Sequence, residues 1–405
     1  MGAYHQMGHH TRNLAVDPVI SMMYAGAIMS PVNEKPEDVR ALCAAFQALE
    51  TVFDPQLYNP DSDRGQLREW NYFADAKELA TDNFSLDRWI RAAKAITQEC
   101  IPLGHNAICS PVAASDATDE DLGSAVLVGD ALAEELRGSE LQGLQTAFVR
   151  PSTLSGEGRP ETVASILTNG RLERIYFVPQ WTSNSEQLAD AREMSGFIKM
   201  LAYVSVQRAT LVGFCGPEMI LWKSAGAESV ATGKYVNQQR WSIERWGPKK
   251  SGGAGNTSYY FEESLLTWLR TEDIIELDRL NYRLGLDADP MLPVIRDYVE
   301  ALRKDPRHTR PVLQDGKPVL DKSGKPRKET LGAAAWTKQG WLQWLWWFAY
   351  TERRLTDGEI TARALVQTAI VNWARLRQKG FRAVDDDNDG AWLPSWLDTL
   401  DVIGA

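Results

Sequence analysis

The chain is short of the residue patterns that declare a chemistry outright. It has four cysteines in 405 residues, Cys43, Cys100, Cys109 and Cys215, and no two form a Cys-x-x-Cys pair. Cysteines scattered in this way are expected as free thiols in a reducing compartment, which argues against a disulfide scaffold and a thiolate zinc site. No run approaches the roughly 18 apolar residues of a membrane span. The opening Met1-Gly2-Ala3-Tyr4-His5 lacks the apolar core of a signal peptide. The expectation is a cytoplasmic protein without a membrane partner. Gly-x-Gly-x-x-Gly does not follow the first strand pattern, and Gly-x-x-x-x-Gly-Lys-Ser/Thr is missing. No cofactor is announced. Positive charge is also scarce overall: the net charge of −10 argues against coating nucleic acid by bulk charge, though not against a local basic site.

What is present is an alternation. Leu211 to Lys234 reads as a buried strand (Leu211 to Cys215), a Gly216-Pro217 break, a short helix from Met219, a Gly226-Ala227 turn and a second strand closed by Thr232-Gly233-Lys234. Strand signals recur near residues 27, 51, 106, 146, 175, 211 and 229, with helical patterns between them, as over 37–49, 86–103 and 187–206. Over 119–136 the helix pattern starts at Thr118, a capping residue followed by acids in the first turn. The spacing predicts a parallel (β/α)8 barrel whose eighth strand lies at the N-terminus or within 60–80. A doubly wound sheet is the rival, disfavoured by the missing glycine fingerprint.

The pattern changes at Gly247. Residues 1–246 form the expected barrel domain, 247–256 a Gly- and Lys-rich linker or lid, and 257–405 an all-α, Trp-rich domain, with helices expected from Phe261 to Leu269 onwards. Within it, 303–328 is a basic arm with hairpin turn signals at Asp315-Gly316 and Ser323-Gly324. In the helix around Trp336, Trp341, Trp344, Trp346 and Trp347, most rings are expected in a core. Adjacent Trp346 and Trp347 cannot both face it, so one is expected at an interface with the barrel or a partner protein.

If the barrel is right, chemistry belongs at the C-terminal ends of its strands. Asp54 stands alone between an apolar strand and Pro55, and serves either as nucleophile or general base or as a cap for the loop backbone. Arg150, before Pro151, either clamps a carboxylate or phosphate or pairs with a neighbouring acid. Glu218 is the third catalytic candidate. Candidate binding residues are Gln56, Tyr58, Gln180, Trp181, Thr232, Gly233, Lys234, Asn237 and Arg240. Thr232-Gly233-Lys234 has the glycine and point charge of a phosphate loop. Lys249, Lys250, Lys322, Lys325, Arg327 and Lys328 are the candidate nucleic-acid contacts. His5 and His9 can share one face of a helical turn and hold a metal, or lie in a disordered end. Asp385-Asp386-Asp387-Asn388-Asp389-Gly390 opens like a calcium loop, but its twelfth position is Trp396, so an acidic turn is the simpler reading.

The order of these pieces over about residues 20–240 resembles the tRNA-guanine transglycosylase type of barrel. That resemblance implies a strand-end aspartate, here Asp54, attacking a nucleoside during base exchange, with Thr232-Gly233-Lys234 as a phosphate contact. The family's Cys-x-Cys-x-x-Cys zinc site has no counterpart in this chain. The expected function is a barrel enzyme acting on a phosphate-bearing nucleoside or nucleic acid. A non-catalytic subunit docking through the Trp-rich domain and a lyase or isomerase of a phosphorylated metabolite are the alternatives.

Overall fold

The computed structural model of the chain describes residues 2–8, 17, 21–59, 65–73, 86–182, 187–235, 238–241, 258–304, 309–311, 313–314, 317–320, 323–326, 328–330 and 336–405. Eight parallel strands close a barrel in sequence order. They are β1 (Gly2–Gln6), β2 (Gly26–Met29), β3 (Glu50–Phe53), β4 (Ala107–Cys109), β5 (Gln142–Val149), β6 (Arg174–Pro179), β7 (Ala209–Val212) and β8 (Ser229–Thr232). The missing strand is thus the N-terminal one. It pairs with β2 on one side and β8 on the other, placing Thr232 opposite His5. His5 lies in a strand, which removes the helical turn on which the metal reading rested, and His9 lies outside the described residues.

Helices α1 (Pro36–Ala45), α2 (Leu86–Cys100), α3 (Asp119–Glu135), α4 (Arg159–Thr168), α5 (Ala191–Ser205) and α6 (Met219–Ser224) fall between the strands. The start of α3 follows its sequence signal. Thr118 accepts from the Asp121 backbone N–H while the Asp121 carboxylate accepts from the Thr118 N–H, which satisfies two donors left over at a helix start. Asp190 caps α5 in the same spirit, accepting from the N–H groups of Arg192 and Glu193. The long connection after β3 covers the outer face of that strand. Trp70 and Tyr72 pack on Phe53, with ring centroids 5.0 and 6.1 Å away.

Side chains alternate across each strand, so every second residue points inward. At the N-terminal end the inner layer is polar. Tyr4 donates to Glu50, and Arg174 clasps both Glu50 oxygens at 2.5 and 3.2 Å. These residues belong to β1, β3 and β6, which are not neighbours, so the contacts cross the interior. Burial works against the Glu50 charge, but the bonds from Arg174 and Tyr4 outweigh it and hold the carboxyl below its ordinary pKa.

The chain divides into two compact units. One comprises Met1–Lys249, Phe348–Ala364 and Trp392–Ala405, and the other Lys250–Trp347 and Leu365–Ala391. The second begins with a departure from expectation. Residues Phe261 to Leu269 are not helical but form an antiparallel hairpin of β9 (Tyr260–Glu262) and β10 (Thr267–Leu269). Tyr260, Phe261, Thr267 and Trp268 are strand formers, and a short apolar run has no period long enough to tell helix from strand. Further on come α7 (Thr271–Arg279), α8 (Leu292–Lys304), the short strands β11 (Thr309–Pro311), β12 (Leu313–Gln314), β13 (Lys317–Pro318) and β14 (Lys328–Thr330), and then α9 (Thr337–Thr356), α10 (Ala362–Gln378) and α11 (Leu393–Asp401). The expected hairpin arm is present, with β11 paired to β14 and β12 to β13.

Trp344 and Trp347 of α9 pack on Phe261, and Gln343 exchanges two hydrogen bonds with the Phe261 backbone. Trp346 and Trp347 are both buried. Their stretch of α9 is covered all round, so adjacent rings find cover on different sides. Asp385 is tied to Tyr259 and Arg270, so the first position of the calcium-like loop serves an ion pair. Trp396, at the twelfth position, donates its indole N–H to the Leu188 carbonyl at 2.7 Å.

Candidate active site inside the barrel mouth

Asp54 follows β3 directly and continues its inward-facing register from Glu50 and Val52. The adjoining Pro55 removes one backbone donor, so the chain turns out of the sheet there. The carboxyl is only 1% exposed. Its Oδ2 accepts from the Tyr58 hydroxyl at 2.7 Å and from the Tyr176 hydroxyl at 3.4 Å, and its Oδ1 from the Gln56 backbone N–H at 3.0 Å. Burial pushes its pKa up from the ordinary 3.8 to about 6, even though Tyr58, Gln56 and Tyr176 all stabilise the ionised form. Asp54 thus caps its own loop, and burial brings its carboxyl close to neutrality.

The network continues across the barrel. Tyr176 on β6 accepts from Nε2 of Gln6 on β1 at 3.3 Å. The side-chain oxygen of Gln56 accepts from the Ser30 hydroxyl at 2.7 Å, just past β2. Carboxylate, phenols, amide and hydroxyl thus meet from four strand ends. Gln6 Oε1 has no hydrogen-bond partner although it is buried, so the network ends in an unused acceptor. Gln56 and Phe214 hold positive φ angles of 53° and 55°, a region non-glycine residues seldom enter and one that clusters at functional sites. Phe148, Phe214 and Trp241 gather round the Tyr58 ring. Tyr58 lies 6.4, 6.4 and 6.0 Å from the other three rings, and Phe148 lies 4.6 Å from Trp241.

The remaining candidates fall into separate groups. Arg150 donates to Gln180 at 3.1 Å and pairs with exposed Asp116 at 2.5 Å, matching its pairing alternative. Glu218 is fully buried, accepts from the Gly216 N–H at 2.8 Å and faces Arg240 at 3.6 Å, while Arg240 also donates to Gln187 at 3.2 Å. Burial lowers the pKa of Arg240, and Glu218 offsets only part of that. Trp181 stacks on Trp222 at 5.4 Å and against Phe197 of α5 at 5.5 Å, in the layer between sheet and helices.

Thr232, opposite His5 in register, points with it to the outer side of the sheet, away from Asp54. Thr232 Oγ1 and both His5 ring nitrogens are buried with no hydrogen-bond partner. Burial, helped by the charge of Lys234, keeps His5 neutral, with its pKa lowered to about 4. Burial also lowers the pKa of Lys234 to about 8, and its ammonium lies 4.6 Å over the Tyr235 ring. Gly233 lies under Gln238, where an added Cβ would stand 2.6 Å from the Gln238 Cβ.

Asn237, Lys249, Lys250, Lys322 and Arg327 lie outside the described residues, Lys325 is exposed, and the strand at Lys328 is described by its backbone only. Among the described residues, no three His, Cys, Asp or Glu side chains gather as metal ligands.

Sequence reasoning found Asp54, Gln56 and Tyr58 but not Gln6, Ser30, Tyr176 or Trp241. The signal for Tyr176 was available in the alternation Arg174-Ile175-Tyr176-Phe177. A polar or amphipathic residue at every second position marks an inward face with functional groups on it.

No protein-family model matches the chain, and no curated protein matches it. Among solved structures it is similar to a GH18 chitinase from Pseudoalteromonas aurantia, at 9% identity and a TM-score of 0.35, over 58% of this chain and 95% of that one. A likeness so slight carries no argument about the site.

Proposed function

We propose that the chain is a barrel enzyme in which Asp54 attacks the anomeric carbon of a nucleoside or nucleic-acid ligand in a transglycosylase-like exchange. The observation that carries this reading is the Asp54–Tyr58–Tyr176 constellation, a buried carboxyl with a pKa of about 6 between two phenol donors. Such a group is largely ionised at pH 7 yet basic enough to act as a nucleophile. Its neighbours hold both oxygens in place: Tyr58 and Tyr176 share Oδ2 and the Gln56 N–H holds Oδ1, so the carboxylate needs no reorientation.

In the first displacement an Asp54 oxygen forms a bond to C1′ while the C1′–N bond to the base breaks, and the departing base takes up a proton. In the second, an incoming base gives up its proton, attacks C1′ and expels Asp54. The exchange is proton-neutral, and two inversions retain configuration. A phosphate on the ligand accords with lysine chemistry at the mouth, for which Lys234 is the described candidate.

The test is exchange of isotope-labelled base into tRNA, DNA and free nucleosides, with intact-protein mass spectrometry for a glycosyl adduct. Loss of both signals in Asp54→Asn, with folding intact, is expected. Undiminished exchange in that variant refutes the assignment.

A further inference from the structure

Packing fixes where the Tyr176 ring lies but not where its one hydroxyl proton points. The ring is fully buried against Gly213, where an added Cβ would stand 2.6 Å from both its Cε2 and its hydroxyl oxygen. The O–H can still turn about its bond to the ring. In one direction it meets Asp54 Oδ2 at 3.4 Å, and Nε2 of Gln6 stands 3.3 Å from the same phenol oxygen. Gln6 ends β1, with its backbone paired to Ile28 of β2. An N–H aimed at the phenol oxygen repels the phenol proton and leaves it the Asp54 side. Tyr58 faces that oxygen as well, but its own proton is engaged on Oδ2 at 2.7 Å. The Gln6 amide is buried in the orientation that leaves its Oε1 without a partner. Turned over, it would pair Oε1 with the phenol proton and draw that proton from Asp54. Methionine, of similar length, would fill the space with no strong polar group to leave unsatisfied. Stability therefore does not account for a glutamine here.

We propose that Gln6 is a positioning residue that acts on Asp54 through Tyr176, by holding the phenol proton on the carboxylate. Amide N–H to phenol and phenol O–H to carboxylate then run in one direction, from β1 through β6 to the end of β3. Each bond polarises the next, so the amide strengthens a contact it does not itself make. The state favoured is the ionised carboxylate, which attacks carbon in the first displacement and is expelled in the second. As a claim about catalysis this rests on the exchange reading; as a claim about the proton it does not. The other titratable groups around the carboxyl are Tyr58, Tyr72, Tyr176 and Cys109, and burial lifts each well above its ordinary pKa. Of this group, only Asp54 titrates near pH 6.

The experiment is carbon-13 titration of labelled aspartate in the full chain, over a double-mutant cycle of Gln6→Met and Tyr176→Phe. Gln6→Met is expected to raise the Asp54 midpoint by about 0.2–0.5 pH unit, since polarisation along a chain adds about 10–30% to a bond with a charged group. Tyr176→Phe is expected to raise it further, and adding Gln6→Met to Tyr176→Phe is expected to change nothing more. An unmoved midpoint in Gln6→Met overturns the proposal. So does an equal shift with and without the Tyr176 hydroxyl, because a packing effect acts in both backgrounds. A second measurement decides the matter even if Gln6→Met fails to fold. With nitrogen-15 glutamine, the side-chain amide identified by its contact with the ring at position 176 is expected to titrate with the Asp54 midpoint in the wild type and to stay flat in Tyr176→Phe. An amide that is flat in the wild type, or that still titrates in Tyr176→Phe, overturns the proposal. Base exchange is measured alongside: a wild type without exchange overturns the exchange reading alone, and the titrations still decide the role of Gln6.

Discussion

Replacing Asp54 by asparagine is expected to stabilise the protein, and to do so only above acidic pH. The folded state holds this carboxyl at about 6, against 3.8 for an ordinary aspartate. A raised carboxyl means that the unfolded chain ionises first. Well below pH 4 the group is protonated in both states and imposes no penalty; the penalty grows mainly between 4 and 6 and is complete above about 6. A rise of this size converts to about 3 kcal/mol at roughly 1.4 kcal/mol per tenfold change in proton affinity. Asparagine is neutral throughout, so its advantage over the wild type should grow by about 3 kcal/mol from pH 4 to pH 7. For a unit of this size that corresponds to roughly 6–10 °C in the melting temperature. The amide fits the same bonds, with Oδ1 accepting from the Gln56 N–H and Nδ2 donating to the two phenol oxygens, which as hydroxyls can accept as well as donate. Imperfect replacement of those bonds adds an offset that is constant with pH, so the slope is the reading that matters. Urea unfolding of both proteins at intervals from pH 4 to pH 7.5 measures it. A difference that stays flat across that range refutes the claim that Asp54 is buried at the expense of its charge.

Removing either phenol should push Asp54 above its wild-type value. Tyr58→Phe, which loses the 2.7 Å bond, should act more strongly than Tyr176→Phe, which loses the 3.4 Å one; carbon-13 titration of labelled aspartate reads both, and an unmoved resonance denies the bonds their role. Glu50→Gln strands Arg174 in the barrel and should cost about 2–3 kcal/mol, the range for leaving a partly buried charge without its partner. Because the folded carboxyl is depressed, the wild type keeps that stability above the ordinary carboxylate pKa and loses it as pH falls through the folded value, so an acid titration of stability should lose this limb in the variant. Gly196→Ala on α5 sets a helix preference of about 1 kcal/mol for alanine against a Cβ placed 2.6 Å from the Leu154 carbonyl oxygen. Backbone does not yield as a side-chain tip does, so a net loss of about 1–3 kcal/mol in urea unfolding is expected, and a gain would show that α5 shifts freely.

The barrel was legible because its information is local. After the first, the strands carry short apolar runs, helices such as the one starting at Thr118 fall between them, and the pairing order follows the chain. The first strand escaped because Gly2–Gln6 contains Tyr4, His5 and Gln6, which do not form an apolar run. Those residues are polar because they work: Tyr4 closes the inner layer against Glu50, and Gln6 reaches Tyr176. The same reason hid most of the site. Asp54 could be singled out as a lone acid between an apolar strand and a proline. Tyr176 and Gln6 could not be joined to it, since they lie 122 and 48 positions away and become neighbours only when the sheet closes.

Parts of the site mark where local preference gave way to a demand of the assembled barrel. Phe214 and Gln56 illustrate it, each held at a positive φ that its side chain disfavours. Phe214 is aligned by that backbone against Tyr58, and Gln56 uses its N–H to hold the carboxylate and its side chain to reach Ser30. Strain at two loop positions, an aspartate kept at a pKa cost and a tryptophan N–H buried without an acceptor all lie within one shell of contacts. Stability alone would have removed each of them, and their coincidence at the C-terminal end of the barrel is the physical ground for looking for chemistry there.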